Sequence, residues 1–519
     1  MFSSLRHSFH LLRAARTLAA YDALLTPEQL AALPWFARFG LSVAKFGRRK
    51  PSTLIDNPVA AALSDLGPSY IKLGQFLATR PDLVGPERAF ALKTLQDRLP
   101  PFSDHEARQA IERNLGASIG ALFAEFGPPV AAASIAQVHK AVTPQGRVLA
   151  VKVLRPGIAR RFAADLGSFA FAARLIEKFS AEGRRLRPVA AVGMLAQSMK
   201  LELDLRMEAA AISEMAQNTI DDPGFRVPKV DWQRTAREVL ATEWIDGTPI
   251  SDVEGLRAKG FDLKALGDTV IQSFLRQAIR DGFFHADMHP GNLFVDPAGQ
   301  LVAVDFGITG RLGPKESLFL AEILYGFITR DYLRVAQVHF DAGYVPMDQD
   351  PANFAQALRA IGEPIMDRDA SEISMARLLT QLFEVTAQFN MQAQPQLLLL
   401  QKTMVVVEGV ARTLNPKLNM WVTAEPVVRG WIGRRLGPIG RIEDGSAALG
   451  RMLLGLPRML EDARKATAML AEMAGKGGLR LDAETIAQLA RARRHDWVSS
   501  VSLAVAALAL AAIAARLVF

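Results

Sequence analysis

Three oxygen-bearing side chains, Asp287, Asn292 and Asp305, follow one another in an order that suits phosphoryl transfer. They lie within residues 282–307, GFFHADMHPGNLFVDPAGQLVAVDFG. A hard metal ion takes oxygen ligands, so the Asn292 amide and the Asp305 carboxylate suit the Mg²⁺ that travels with ATP. A further carboxylate, Asp287, can orient or deprotonate the hydroxyl or water that attacks a γ-phosphate. Two apolar runs, Leu293-Phe294-Val295 and Leu301-Val302-Ala303-Val304, flank a Pro-Ala-Gly turn at residues 297–299. That is the pattern of a tight β-hairpin. Asn292 would then stand at the entry of the hairpin and Asp305 at its exit.

Protein kinases place a catalytic Asp, an Asn metal ligand and a DFG Asp in this order. Here His289-Pro290-Gly291 fills the gap between Asp287 and Asn292, and Ala286 stands where ordinary protein kinases carry Arg. HADMHPGN resembles the HADxHPGN catalytic loop of the UbiB family, atypical protein-kinase-like proteins tied to ubiquinone biosynthesis.

Other elements must bring a nucleotide to these residues. Residues 130–139 occupy the place of the glycine loop that covers phosphates in kinases. Ala131, Ala132, Ala133 and Ser134 instead resemble the family's AAAS loop, with less conformational freedom than glycine gives. Lys152, in an AVKV strand, matches the strand Lys that contacts the α- and β-phosphates. Residues 201–212 read as one helix, with Glu208 on the row of Leu201, Leu205 and Ile212. A carboxylate on an apolar stripe is costly unless paired, and Lys152 is its candidate partner. Asp204 lies on nearly the same face and Glu202 points elsewhere. ELDLRMEAA resembles the family's ExD segment, and the resemblance implies that Glu202 and Asp204 engage the family's KxGQ helix.

Residues 238–247 read as an apolar strand running into the hinge between lobes, where backbone groups hold adenine and Glu243 lies beside the base. Little room separates Asp305 from a helical pattern that begins near Lys315, and no APE motif follows. The usual platform for a peptide substrate is therefore missing. Residues 315–440 are helix-rich, and the Leu- and Val-rich run 397–407, which contains Gln401 and Lys402, reads as a buried helix.

Upstream, GPSYIKLGQFLATRPD (residues 67–82) opens with Pro68 and closes at Arg80-Pro81, the signals of a short helix. Tyr70, Leu73 and Leu77 form one face, with Lys72, Gln75 and Thr79 roughly opposite. The stretch looks like the KxGQ signature of the UbiB family. By that resemblance Lys72 and Gln75 point into the active site and restrict access by a protein substrate. Gly74, in mid-helix, marks a close approach. Residues 1–25 place Phe2, Leu5, Phe9 and Leu12 at helical spacing among Arg6, Arg13 and Arg16. This can be a membrane-surface amphipathic helix, a mitochondrial presequence in a eukaryotic source, or a helix packed on the body.

The 519 residues suffice for a two-lobed core with appendages. Half are apolar, and the formal charge of +8 fits attraction to an anionic membrane surface. No basic, aromatic-interleaved tract of a nucleic-acid binder is present. The absence of Cys excludes disulfides, thiolate metal sites and thiol catalysis. Residues 497–515 form a 19-residue uncharged and mostly apolar run behind Arg491, Arg493 and Arg494. As a helix it would span roughly 28 Å, close to a hydrocarbon core.

The expected fold is α+β, a two-lobed protein-kinase-like fold with a helical N-terminal extension and a C-terminal transmembrane helix. Its divisions are an amphipathic region (1–50), the KxGQ extension (51–125), a small lobe (126–246), a helical large lobe (247–440), a membrane-proximal helical region (441–496) and the span (497–515). The resemblance implies a membrane-bound atypical kinase or ATPase that binds MgATP and supports ubiquinone biosynthesis. Asp287, Lys152 and Glu208 are its catalytic candidates. Residues 131–134, Lys152 and Glu243 would hold nucleotide, Asn292 and Asp305 would hold Mg²⁺, and Lys72, Gln75, Glu202 and Asp204 would regulate. Expected partners are membrane lipid, isoprenoid quinone precursors and other ubiquinone-biosynthesis proteins. The expected location is a bacterial inner membrane with the body cytoplasmic, or a mitochondrial inner membrane with the body in the matrix. Two readings compete: a nucleotide-binding pseudokinase scaffold for lipid, and a small-molecule kinase of aminoglycoside-phosphotransferase type. The family has also been linked to 2-polyprenylphenol hydroxylation. No Rossmann glycine fingerprint and no flavin or iron site in this sequence supports that chemistry.

Overall fold

Period-two alternation in the strand that carries Lys152 sorts its residues between two environments. Leu149, Val151 and Val153 are buried with Ala110 and Ile111 on the outer side of a sheet, so Lys152 faces the other way. The structure, a computed structural model, describes residues 2–21, 57–78, 80, 84, 86–92, 95, 99–179, 184, 186–366, 381, 384–385, 388–391 and 395–436. Nearly all of these fall in one compact unit, Met1–Gly433.

The sheet is antiparallel, with strands β1 (Glu125–Ala132), β2 (Ala136–Val142), β3 (Val148–Leu154) and β4 (Val239–Glu243) in that spatial order. In register, Lys152 stands between Val138 of β2 and Leu240 of β4. Three shorter strands carry the catalytic segment: β5 (Phe283–His285), β6 (Leu293–Val295) and β7 (Leu301–Ala303). A fourth, β8 (Thr309–Arg311), pairs back on β5 with Thr309 opposite His285. The expected hairpin is β6–β7, with Leu293 opposite Ala303. The Asp296 carboxylate orders its turn by accepting from the N–H groups of Ala298 and Gln300. Pairing of β5 with β8 was not expected, because three-residue strands leave no periodic signal.

The helices that position the site are, in chain order, α1 (Phe2–Ala20), α2 (Pro58–Leu66), α3 (Pro68–Ala78), α4 (Asp104–Leu115), α5 (Ile158–Phe179), α6 (Pro188–Glu202), α7 (Leu205–Asn218), α8 (Leu263–Leu275), α9 (Pro314–Ile328), α10 (Pro395–Leu414) and α11 (Met420–Leu436). Helix α4 starts at a capping box, Ser103 with Glu106, and ends at Gly116 in the left-handed conformation. Its apolar side covers the outer face of the sheet. The large lobe is helical around α8, and Leu275, Leu324, Val407 and Val428 share its core with the β5–β7 segment. The run 397–407 is part of α10, whose Leu400, Val407, Val410 and Ala411 are buried as expected.

Two expectations need correction. No helix among the described residues is long and apolar enough to cross a membrane, so none of them is the expected transmembrane helix. The run 497–515 itself lies outside the described residues, as does region 441–496. The helix expected over residues 201–212 is two helices, α6 and α7, with a break at Leu203 and Asp204. Asp204 has extended backbone, and its carboxylate accepts from the Arg206 N–H, capping α7. Leu201, at the end of α6, is therefore exposed and does not share the buried row of Leu205 and Ile212.

Of the three readings of the N-terminal stretch, the structure has α1 packed on the body. Ala14, Thr17 and Ala19 are buried, and the His7 ring meets the Ser168 hydroxyl of α5 at 3.2 Å. Gly74 does mark a close approach. A Cβ there would lie 2.4 Å from a Leu95 methyl and 2.8 Å from a Leu63 methyl.

Candidate active site

The strand orientation of Lys152 and the cap that starts α7 bring a lysine and a glutamate together. Glu208 sits one turn into α7 and is 8% exposed. Both of its oxygens accept from the Lys152 ammonium, at 2.9 and 3.0 Å. The same ammonium donates to Asp305 Oδ1 at 2.9 Å. Residues from a strand, a helix and the end of the hairpin thus meet at one nitrogen. Asp305 has a φ of 60°, the left-handed conformation that Asp tolerates better than most residues.

One cation facing two carboxylates leaves the cluster with surplus negative charge. Burial, reinforced by the neighbouring Asp305 charge, pushes Glu208 up to about 7 against the pull of Lys152. Burial would also raise Asp305, but the Lys152 ammonium outweighs it and holds that carboxyl well below the usual range. Desolvation acts to lower Lys152, and the two carboxylates more than reverse it.

Asp287 is held through its backbone. Its N–H donates to His285 Nδ1 at 3.1 Å, and its carbonyl accepts from Asn292 Nδ2 at 3.1 Å. His285 is fully buried and donates from Nε2 to the Val304 carbonyl at 3.2 Å. Burial lowers its pKa, so it is a neutral imidazole with a fixed tautomer. This one ring connects the backbone of Asp287 to the strand that leads into Asp305. The Phe306 ring packs against it, centroids 4.6 Å apart, and is 2% exposed. The Asp287 carboxylate stays partly open and lies 3.8 Å from His289 Nε2.

Asn292 commits its amide nitrogen to Asp287, so its oxygen is the end that can meet a metal. Among the described residues no group of three or more His, Cys, Asp or Glu could hold a metal ion. One carboxylate and one amide do suit an ion that completes its shell with phosphate oxygens and water. Asp305, already accepting from a cationic nitrogen, fits that role. The donor set is therefore compatible with Mg²⁺ arriving with a nucleotide.

The nucleotide-side residues are placed unevenly. Ala131 is exposed, Ala132 and Ala133 are half-buried, and Ser134 is fully buried. The Glu243 carboxylate is paired with Arg226 at 3.0 Å and accepts from the Lys229 N–H. The N–H groups of Glu243 and Trp244 donate to the carbonyls of Lys229 and Val148.

Among the residues expected to regulate, Lys72 of α3 and Glu202 of α6 meet at 2.8 Å, each side chain 11% exposed. Asp204 does not reach α3. It bonds the Arg206 guanidinium at 2.6 and 2.8 Å, and that bond lowers its pKa. Gln75 is half-buried on α3.

Some contacts had no signal in the sequence. Thr403 of α10 donates to the Ala286 carbonyl at 3.1 Å, more than a hundred residues away. Gln277 accepts from the His285 N–H at 3.1 Å, from a turn of π-helix at Arg276–Asp281. Arg226 ties Glu243 to Asp296 of the hairpin turn.

Comparison with known proteins agrees with this geometry. Residues 94–339 match the ABC1 atypical kinase-like domain, and residues 358–419 match the UbiB helical domain. The chain is similar to "Probable protein kinase UbiB" of Marinobacter nauticus, 46% identical over 74% of this chain and 71% of that protein. It is also similar to "Probable protein kinase UbiB" of Azotobacter vinelandii, 41% identical over 84% of this chain and 82% of the other. Among solved structures it resembles the complex of Rv3197 with erythromycin from Mycobacterium tuberculosis. That match has a TM-score of 0.53 and 25% identity, over 71% of this chain and 94% of that one.

Proposed function

The chain belongs to the UbiB family of ABC1 atypical kinase-like proteins, and from that premise we propose that it binds MgATP and hydrolyses it or transfers its γ-phosphoryl group in support of ubiquinone biosynthesis. The observation that carries the reading is the Lys152 ammonium, bonded at once to Glu208 and Asp305. This is the kinase constellation of strand lysine, helix glutamate and DFG aspartate, assembled from three separate elements. A bound Mg²⁺ would supply charge neutralisation between the phosphates. Asp305 and Asn292 would hold it. Lys152 would turn from Asp305 towards the phosphates while Glu208 keeps its orientation. Asp287, steadied by the His285 link, would orient the attacking hydroxyl or water.

The short connection from Asp305 to α9 argues for water or a lipid-soluble phenol as acceptor, because no peptide platform follows the site. Support for action at a membrane surface comes from the +8 charge. On this reading the protein works at the cytoplasmic face of a bacterial inner membrane, or on the matrix side in a mitochondrion. Its partners there are anionic lipid, isoprenoid quinone precursors and other proteins of the same biosynthesis.

The test is phosphate release from MgATP by the purified protein, with and without anionic vesicles and a phenolic quinone precursor. Turnover that lipid or precursor raises is expected, and Asp305→Asn should lower it by roughly two to three orders of magnitude. Nucleotide binding with no turnover in any lipid condition would overturn the enzymatic reading in favour of a nucleotide-holding scaffold.

A further inference from the structure

Arg155 lies one residue beyond β3 and touches nothing in the Lys152–Glu208–Asp305 cluster, yet it is tied to the Ala-rich turn by three hydrogen bonds. Its Nε and Nη2 both donate to the Ala133 carbonyl, at 3.2 and 2.8 Å. Its own N–H donates to the Ile135 carbonyl at 2.8 Å. Nη2 also reaches the carbonyls of Leu99 and Pro100, at 3.4 and 2.8 Å, and the guanidinium lies over the Phe102 ring, 5.6 Å from its centroid. Gln137, fully buried in β2, fixes Phe102 in turn. Its side-chain oxygen accepts from the Phe102 N–H at 2.9 Å, and its nitrogen points to the Phe102 carbonyl at 3.4 Å. The stretch 99–102 is thus strapped to the turn between β1 and β2 by one guanidinium and one amide.

We propose that Arg155 is the positioning residue of the phosphate-covering loop, holding the Ala133–Ser134 peptide in one orientation through the strap at residues 99–102. A carbonyl oxygen turned into the cleft would repel phosphate oxygens. A planar trans peptide carries its N–H and C=O in opposite directions, so anchoring the Ala133 oxygen fixes the direction of the N–H in the same peptide. A glycine loop gains its fit to phosphate by flexing. An alanine loop has less backbone freedom, so its fit must be built in beforehand, and a planar fork of donors does that where an ammonium cannot. Preorganisation of this kind increases affinity by removing an ordering cost from the binding step.

The inference rests on the MgATP reading above, and the experiment separates the two. Affinities for MgATP and for adenosine are measured on the full chain, wild type and Arg155→Lys, with Phe102→Leu as a milder second variant that removes only the ring beneath the guanidinium. The expected result is an MgATP Kd raised about tenfold in Arg155→Lys and about threefold in Phe102→Leu, with the adenosine Kd moved less than about twofold in both. Equal loss for MgATP and adenosine would make Arg155 a merely structural residue and overturn the inference, as would unchanged MgATP affinity. Absence of MgATP binding in the wild type would overturn the functional reading and the inference with it.

Discussion

At Lys152 a single ammonium faces two carboxylates, and the three members of that cluster are not equivalent. Removing the cation leaves Glu208 and Asp305 facing each other without compensation. Lys152→Met should therefore cost about 3 kcal/mol of stability. Glu208→Gln leaves the Lys152–Asp305 pair intact, its Asp305 end half open to solvent, and should cost only about 1 kcal/mol. Urea titration of the two variants checks the order. The pH dependence follows from Glu208, which is pushed up to about 7 and is ionised only above that pH. Because the folded value is raised, the folded state takes the proton first, and stability from this group increases as pH falls through about 7. Turnover that needs the ionised pair runs the other way. In kcat/KM, which reports the free enzyme, it should rise with pH through an apparent pKa near 7, and Glu208→Gln should abolish that rise. Residue identities at this site were legible because HxD, Asn, DFG and the strand Lys each sit in a local pattern. Arg155, Gln277 and Thr403 were not, because their partners lie far away in the chain or are backbone atoms that no pattern marks.

Elements were legible where a period had room to repeat. The β6–β7 hairpin, β3 and α3 stand where alternation, turn residues and proline placed them. Reading failed at Leu203 and Asp204, where apolar spacing carried across a break that one capping carboxylate imposes. It was also silent on β5 and β8, whose pairing depends on the turn that precedes β5. Gly282 makes that turn with a φ of 61°, and a Cβ there would lie 2.6 Å from the Leu312 carbonyl oxygen. Gly282→Ala should therefore destabilise by about 2 kcal/mol or more, through left-handed strain and a backbone clash. A thermal melt, together with loss of turnover at temperatures where the variant is still folded, measures it.

Across the whole molecule, the length sufficed for a two-lobed body, and the family resemblance pointed to that fold and its order of parts. The N-terminal extension joins that body through a nearly buried ion pair, Lys72 with Glu202. Such a pair is costly to break from one side and cheap to replace from both. Lys72→Met and Glu202→Leu should each cost about 3 kcal/mol, and the double variant should recover at least half of the sum. Additive losses in a double-mutant cycle would show that the two side chains are not coupled. The apolar run 497–515, expected as a span, lies outside the described residues. Apolar length alone suggested a span, while the apolar helices that are described bury their faces against one another.

The ring of Phe306 seals His285 from solvent, and His285 in turn connects the backbone of Asp287 to the strand before Asp305. For inhibitor chemistry this closes a familiar door. A compound that wins selectivity by swinging the DFG phenylalanine outwards would have to empty a phenylalanine-sized hole in the lobe core and uncover a neutral histidine that both carboxylate-bearing segments depend on. Selective ligands for this chain are better sought at its alanine turn, where ordinary kinases carry glycines.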